Sequence, residues 1–281
     1  MNYRHAYHAG NFADVVKHAA VALILDHLKT KDKPFCVVDT HAGPGRYDLL
    51  AEAAAKTGEW RGGIGRLWGR AGLPPELGPY LAAIRRVNRA GVGALRWYPG
   101  SPRLVRILMR PEDRLVAVEL HPVDAQTLQR EFAGDAQVQV KRMDGYQALK
   151  AFLPPPERRG LVLVDPPFEV TDEFERMVKG LAEARRRWAQ GIFAFWYPIK
   201  DLAPVRVFHD AVIASGVRRV VAAEFTVRPA VDPERLNGCG LLLINPPWTL
   251  ADDLRRVLAR LEELLSDPGP ASSRVDQLVG E

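Results

Sequence analysis

The sequence predicts an α/β fold built on a mostly parallel, doubly wound sheet. Short apolar runs rich in Val, Leu and Phe alternate with stretches of helical period along most of the chain. Several of these runs stop at a polar residue followed by Gly or Pro, as strands do where they enter a turn. With 281 residues, 47% hydrophobic and 26% charged, there is apolar material for a sizeable core.

Taken in order, Asn11 is placed to cap a helix running to about residue 29. Asp14 lies in its first turn, and Val15, Ala19, Ala22 and Leu23 repeat at helical spacing. Residues 35–39 read as a strand and 40–47 as a Gly-rich turn. From about residue 48 to 92, Ala- and Leu-rich pieces are punctuated by Gly and Pro. This predicts short helices and no strong strand, a small helical insertion after the first strand spanning about 48–95. Strands follow at 115–119, 138–140 and 161–164, with a helix over 127–132. A helix over 174–188, a strand over 191–197 and a helix over 205–214 come next. Residues 218–227 are strand-like, 241–245 form the last strand, and 250–265 an amphipathic helix. The tail from residue 267 is expected to be loose. The chain is read as one domain, 1–281, with an N-terminal arm and helix over 1–30.

A net charge of +5 and a pI near 9.3 are compatible with a nucleic-acid partner without demanding one. Cys36 and Cys239 cannot make a disulfide framework and are expected to be reduced and structural. No apolar run resembles a signal peptide or is long enough to span a bilayer, so no membrane partner is expected and the compartment is read as cytoplasmic.

Four polar sites fall at predicted strand ends, where open α/β sheets bind ligands. Gly43 and Gly45 give a G-x-G turn after Asp39, without the third glycine of a dinucleotide fingerprint. Glu119 is placed to accept the hydroxyls of a ribose, whether of NAD or of S-adenosylmethionine. Asp144-Gly145 can accept an adenine amino group while the backbone comes close. Asp165-Pro166-Pro167-Phe168 is a stiff turn in which a carboxylate and a backbone carbonyl can accept hydrogens from an exocyclic amine beside an aromatic ring. Alone, each reads as an ordinary turn or a solvated acid. In this order they point to methylation of an amino group, whereas hydride transfer would leave the Asp-Pro-Pro-Phe turn unused. Asn245-Pro246-Pro247-Trp248 repeats the motif type, but its late place in the chain favours Asp165, with Trp248 still allowed near the substrate. Tyr3, Arg4, His5, Tyr7, His8, Lys17 and His18 suit stacking on bases and neutralising phosphate. No carboxylate or Cys completes a ligand set with these histidines, so no metal is expected.

The strings YRHAYHAGNFADVVKH, KDKPFCVVDTHAGPGRY, YPGSP, VELHP, LVDPPF, FWYP and INPPW span nearly the whole chain. Through them the sequence resembles the bacterial 23S ribosomal RNA adenine-N6 methyltransferases called ribosomal RNA large subunit methyltransferase J. The resemblance implies a Rossmann-like methyltransferase fold with a small helical insertion, and S-adenosylmethionine as donor. It implies a cofactor pocket of His18, His41, Ser101, Glu119, Asp144, Gly145 and Asp165. Lys17, Asp165 and Pro166 would lie at the reaction centre, and Tyr3 and Phe168 would meet the adenine. Phe168 departs from the commoner Tyr, so only stacking carries over. The implied partner is 23S ribosomal RNA, protein-free or in an early assembly intermediate, met by a monomer. The alternatives are a DNA adenine-N6 or cytosine-N4 methyltransferase, a glutamine methyltransferase using Asn245, and a non-catalytic RNA-binding protein. The last would be expected to have lost Glu119 or Asp165, and both are present.

Overall fold

The computed structural model describes residues 5–88, 93–267 and 269–281. A 3-10 turn (His5–Tyr7) leads into α1 (Phe12–Lys29) and β1 (Cys36–Asp39). A two-stranded antiparallel ribbon, β2 (Arg46–Asp48) and β3 (Trp97–Pro99), encloses α2 (Glu52–Thr57), α3 (Gly78–Val87) and short 3-10 turns. There follow α4 (Ser101–Leu108), β4 (Arg114–Glu119), α5 (Pro122–Glu131), β5 (Val138–Arg142), α6 (Gly145–Phe152) and β6 (Gly160–Val164). The chain continues through α7 (Glu173–Arg187), β7 (Ile192–Ile199), α8 (Leu202–Ala214), β8 (Val220–Thr226) and β9 (Gly238–Ile244). It ends with α9 (Leu250–Leu265) and β10 (Ser272–Val279).

Among the described residues eight strands form one sheet in the order β10-β8-β9-β7-β6-β1-β4-β5. β5, β4, β1, β6 and β7 are parallel neighbours, whereas β9, β8 and β10 join antiparallel. Strands buried on both faces read as continuous apolar runs, and β1, β6 and β9 are buried at every residue. One core packs α1, α3 and α9 on one face; the other packs α6, α7 and α8 on the opposite face. This is a doubly wound, Rossmann-like arrangement.

The order reverses at β1, where β6 and β4 flank it on either side. The carboxyl ends of these three strands therefore open a crevice. α1 seals one side of it. Asn11 caps this helix, its Oδ1 accepting from Asp14 N at 3.0 Å, and its Nδ2 donates to Glu59 at 3.0 Å. Asn11→Ala is expected to cost about 1–2 kcal/mol, read as a lower denaturation midpoint.

One expectation fails. The tail is not loose, for residues 272–279 form β10, paired antiparallel to β8, with Val275 buried and Arg274 2.5 Å from Glu224. Its polar residues look like a linker because one side of an edge strand faces water, and its apolar neighbours lie far back in the chain. Among the described residues between 49 and 95 there are helices and turns and no strand, as expected; the three-residue strands β2 and β3 that flank them escaped notice because they are too short to show a period of two. Cys36 and Cys239 are both buried and unbridged, as expected. No helix among the described residues is long and apolar enough to cross a membrane.

Candidate active site

A cavity of about 570 Å³ opens at the carboxyl ends of β1, β4, β5, β6 and β7, and its lining holds Lys17, His18, His41, Ser101, Glu119, Asp144, Gly145, Asp165, Pro166 and Phe168. These residues are scattered over 152 positions of sequence, from 17 to 168, and the sheet brings them together. Tyr3 lies outside the described residues.

Glu119 ends β4 and turns back toward the Gly-rich turn. Its Oε2 accepts from Gly43 N at 2.8 Å and its Oε1 from His121 N at 2.7 Å. Each oxygen keeps a lone pair for a further donor. Burial raises the Glu119 carboxyl above its ordinary range, opposed by these backbone N–H groups. Asp144 caps α6, accepting from Tyr146 N and Gln147 N at 3.0 Å, and its other oxygen lies 3.5 Å from Arg176. A Cβ on Gly145 would lie 2.6 Å from the Thr40 carbonyl and 2.7 Å from the His41 ring, so the close approach requires glycine.

His18 and His41 are neutral rings. Burial pushes His18 down to about 3 and His41 down to about 4. His18 Nδ1 shares a hydrogen with Tyr98 at 2.8 Å, whereas its Nε2 is buried without a partner among the described residues. Asp39, fully buried at the end of β1, likewise has an unpartnered Oδ2. Burial raises its carboxyl to about 7, opposed by a hydrogen bond from Ser101. Of the two, His18 lines the cavity, where a buried polar atom left unpaired calls for a polar ligand.

The reaction end of the cavity is charged. Lys17 Nζ lies 2.5 Å from Asp165 Oδ2 and 2.8 Å from Asp14 Oδ1. Burial alone would lower the Lys17 ammonium, but the two carboxylates outweigh it and hold it above its ordinary value. Lys17 is thus a fixed cation rather than a base. Asp165 is reached by Lys17 through one oxygen only. Phe168 takes φ +52°, a left-handed conformation that costs a non-glycine about 1 kcal/mol or more. This turns its ring edge-on to Phe174 and Trp196, at centroid distances of 5.1 and 6.1 Å. Lys17 Nζ sits 5.8 Å from the Trp196 ring.

Sequence reasoning missed Asp14, Trp196 and Glu59. Asp14 looked like an ordinary first-turn acid, and the lone sign of more was its spacing three residues before a lysine. His5 pairs with Asp14 at 3.0 Å and His8 with Glu59 at 2.9 Å, so these two histidines bind carboxylates that pin the N-terminal segment to α1 and the residue-59 turn.

The repeated motif lies elsewhere. Because β9 runs antiparallel to β7, Ile244 pairs with Phe193, and Asn245 emerges at the amino ends of the parallel strands. Its amide donates to the carbonyls of Ala189 and Gly191 at 2.9 and 2.8 Å. Trp248, 84% exposed, stands at that opposite edge rather than near the cavity, contrary to what the sequence allowed. Trp248→Ala is expected to change stability by no more than about 0.5 kcal/mol, read as a nearly unmoved denaturation midpoint, as for a surface substitution away from the core.

A family model described as "Ribosomal RNA large subunit methyltransferase D, RlmJ" matches residues 32–279. The chain is 44% identical to the "Ribosomal RNA large subunit methyltransferase J" of Escherichia coli (strain K12) over 282 aligned positions, covering all of both chains. It is 41% identical to the protein of that name from Haemophilus influenzae, again over the full length of each. A crystal structure of the Legionella pneumophila protein LPL1258 superposes with a TM-score of 0.88 at 34% identity, covering 96% of this chain and 98% of that one. Fold, cavity and relatives together define the class, a Rossmann-like methyltransferase that uses S-adenosylmethionine. The chain belongs to the ribosomal RNA large subunit methyltransferase J family.

Proposed function

We propose that this protein methylates the N6 amino group of an adenine in 23S ribosomal RNA. The observation that carries the reading is the placement of Asp165, paired with Lys17 at 2.5 Å, in the cavity that also holds Glu119, Asp144 and Phe168. The names of the relatives support large-subunit ribosomal RNA as the substrate class.

The lining fits S-adenosylmethionine. Glu119 would accept the ribose hydroxyls and Asp144 the adenine amine, with Gly145 and His41 beside the base. The unpaired Nε2 of His18, with Ser101, offers polar partners for the amino-acid end. When bound, the cofactor supplies an electrophilic methyl group on a sulfonium.

The rest falls to the chain's own residues. Asp165 and the Pro166 carbonyl accept the two amine hydrogens, which draws the nitrogen lone pair out of conjugation with the ring. Phe168 offers a stacking surface for a base turned out of its strand. Tyr3 is assigned to the same adenine from the N-terminal side. Lys17 restrains the Asp165 carboxylate, and Asp165 stabilises the positive charge that grows on nitrogen and takes the surplus proton. Alignment of the two reactants supplies much of the rate. Neither cysteine takes part, both thiols being buried and pushed up to about 12 by that burial.

In this reading the protein works as a monomer in the cytoplasm and acts on RNA before assembly hides the adenine. The test is label transfer from tritiated donor to protein-free 23S RNA, DNA and intact ribosomal subunits, followed by nucleoside analysis. Label in N6-methyladenosine from the free RNA is expected. Label in DNA, in another nucleoside, or in none of the three would overturn the reading.

A further inference from the structure

We propose that Asp14 is a positioning residue for methyl transfer, fixing Lys17 against Asp165. The proposal rests on the assignment of Asp165 as acceptor of the amine.

Asp14 is 1% exposed, and every contact of its carboxylate has a direction. Oδ1 lies 2.8 Å from Lys17 Nζ, while Oδ2 accepts from Gly10 N at 2.9 Å and meets His5 Nε2 at 3.0 Å. Lys17 then reaches Asp165 at 2.5 Å, across 148 positions of sequence. The ammonium is thus held from both sides and has one place to stand.

Asp14 shares the Lys17 ammonium, so Lys17 does not neutralise Asp165 alone. Part of the Asp165 charge is left for the amine nitrogen as it becomes positive, in a site whose walls weaken solvent screening. Burial opposes the Asp14 charge, but His5 and Lys17 hold its carboxyl well below the usual range, and the first turn of α1 favours an anion. The other titratable groups around the cluster are His18, a neutral ring, and Asp39, whose charge is coupled to that of Asp165.

Asp14→Asn keeps the size and the acceptor for Gly10 N but removes the charge. Single-turnover methyl transfer to 23S RNA is expected to fall ~10–100-fold, as when one preorganised electrostatic contact is lost. Cofactor affinity by calorimetry is expected to stay within about twofold, because Asp14 acts through Lys17 rather than on the cofactor. Asp14→Glu, which restores the charge, should recover part of the rate. A rate within twofold of the unaltered protein would overturn the proposal. So would a slower enzyme with no recovery by Glu, the pattern of a merely structural role. If the unaltered protein marks some other atom, the Asp165 assignment fails separately. The NMR signals of the Lys17 ammonium then still decide the matter, since identical signals in the unaltered protein and Asp14→Asn would show that Asp14 does not hold it.

Discussion

Asp165→Asn is expected to reduce methyl transfer roughly 10³-fold or more while cofactor affinity changes little, because the loss falls on a charge used in the transition state. Asn keeps an acceptor oxygen but carries no charge to meet the growing cation, and its amide hydrogens compete with those of the substrate amine. The fold should tolerate the change, since Lys17 keeps its second partner, Asp14, at 2.8 Å. Initial rates with 23S RNA, set beside calorimetry of cofactor binding, read the two effects apart. Activity within tenfold of the unaltered protein would remove Asp165 from its assigned role.

Glu119→Ala is expected to weaken S-adenosylmethionine binding by about 2–3 kcal/mol, or ~30–150-fold, because a buried diol loses a charged acceptor. The side chain has a second task. It gathers Gly43 N and His121 N into one place, so its removal also frees the Gly-rich turn. Asp165→Asn acts on rate and Glu119→Ala on cofactor affinity, so the pair separates chemistry from binding. An unchanged dissociation constant for Glu119→Ala would place the ribose elsewhere.

Much of this site was legible before any coordinates, and the reason is physical. Strands that end in Asp39, Glu119 and Asp165 are buried apolar runs with one polar stop, a pattern that betrays both the strand and the residue it delivers. Asp144 was legible as an acid and a glycine closing a short strand, although the helix α6 that it caps was not. Pairings across the fold were not legible. Nothing local to Asp14 or to Trp196 announces a meeting with Asp165 or Phe168. The direction of β9 was hidden too, since an apolar strand reads alike whichever way it runs, yet that direction alone sends Asn245 away from the cavity. β2, β3 and β10 were missed because two of them are very short and the third is polar on its water-facing side.

That third strand bears on how the protein behaves in a crowded solution. Without β10, the edge of the sheet would be β8, buried at six of its seven positions, with a row of open backbone hydrogen-bonding groups. Such an edge is a template for a second copy to add a strand and start an aggregate. β10 replaces it with an outermost strand carrying Ser272, Arg274, Asp276 and Gln277, whose charges and small polar groups discourage edge-to-edge growth. The last turn of chain thus guards the solubility of an enzyme whose chemistry lies several strands away.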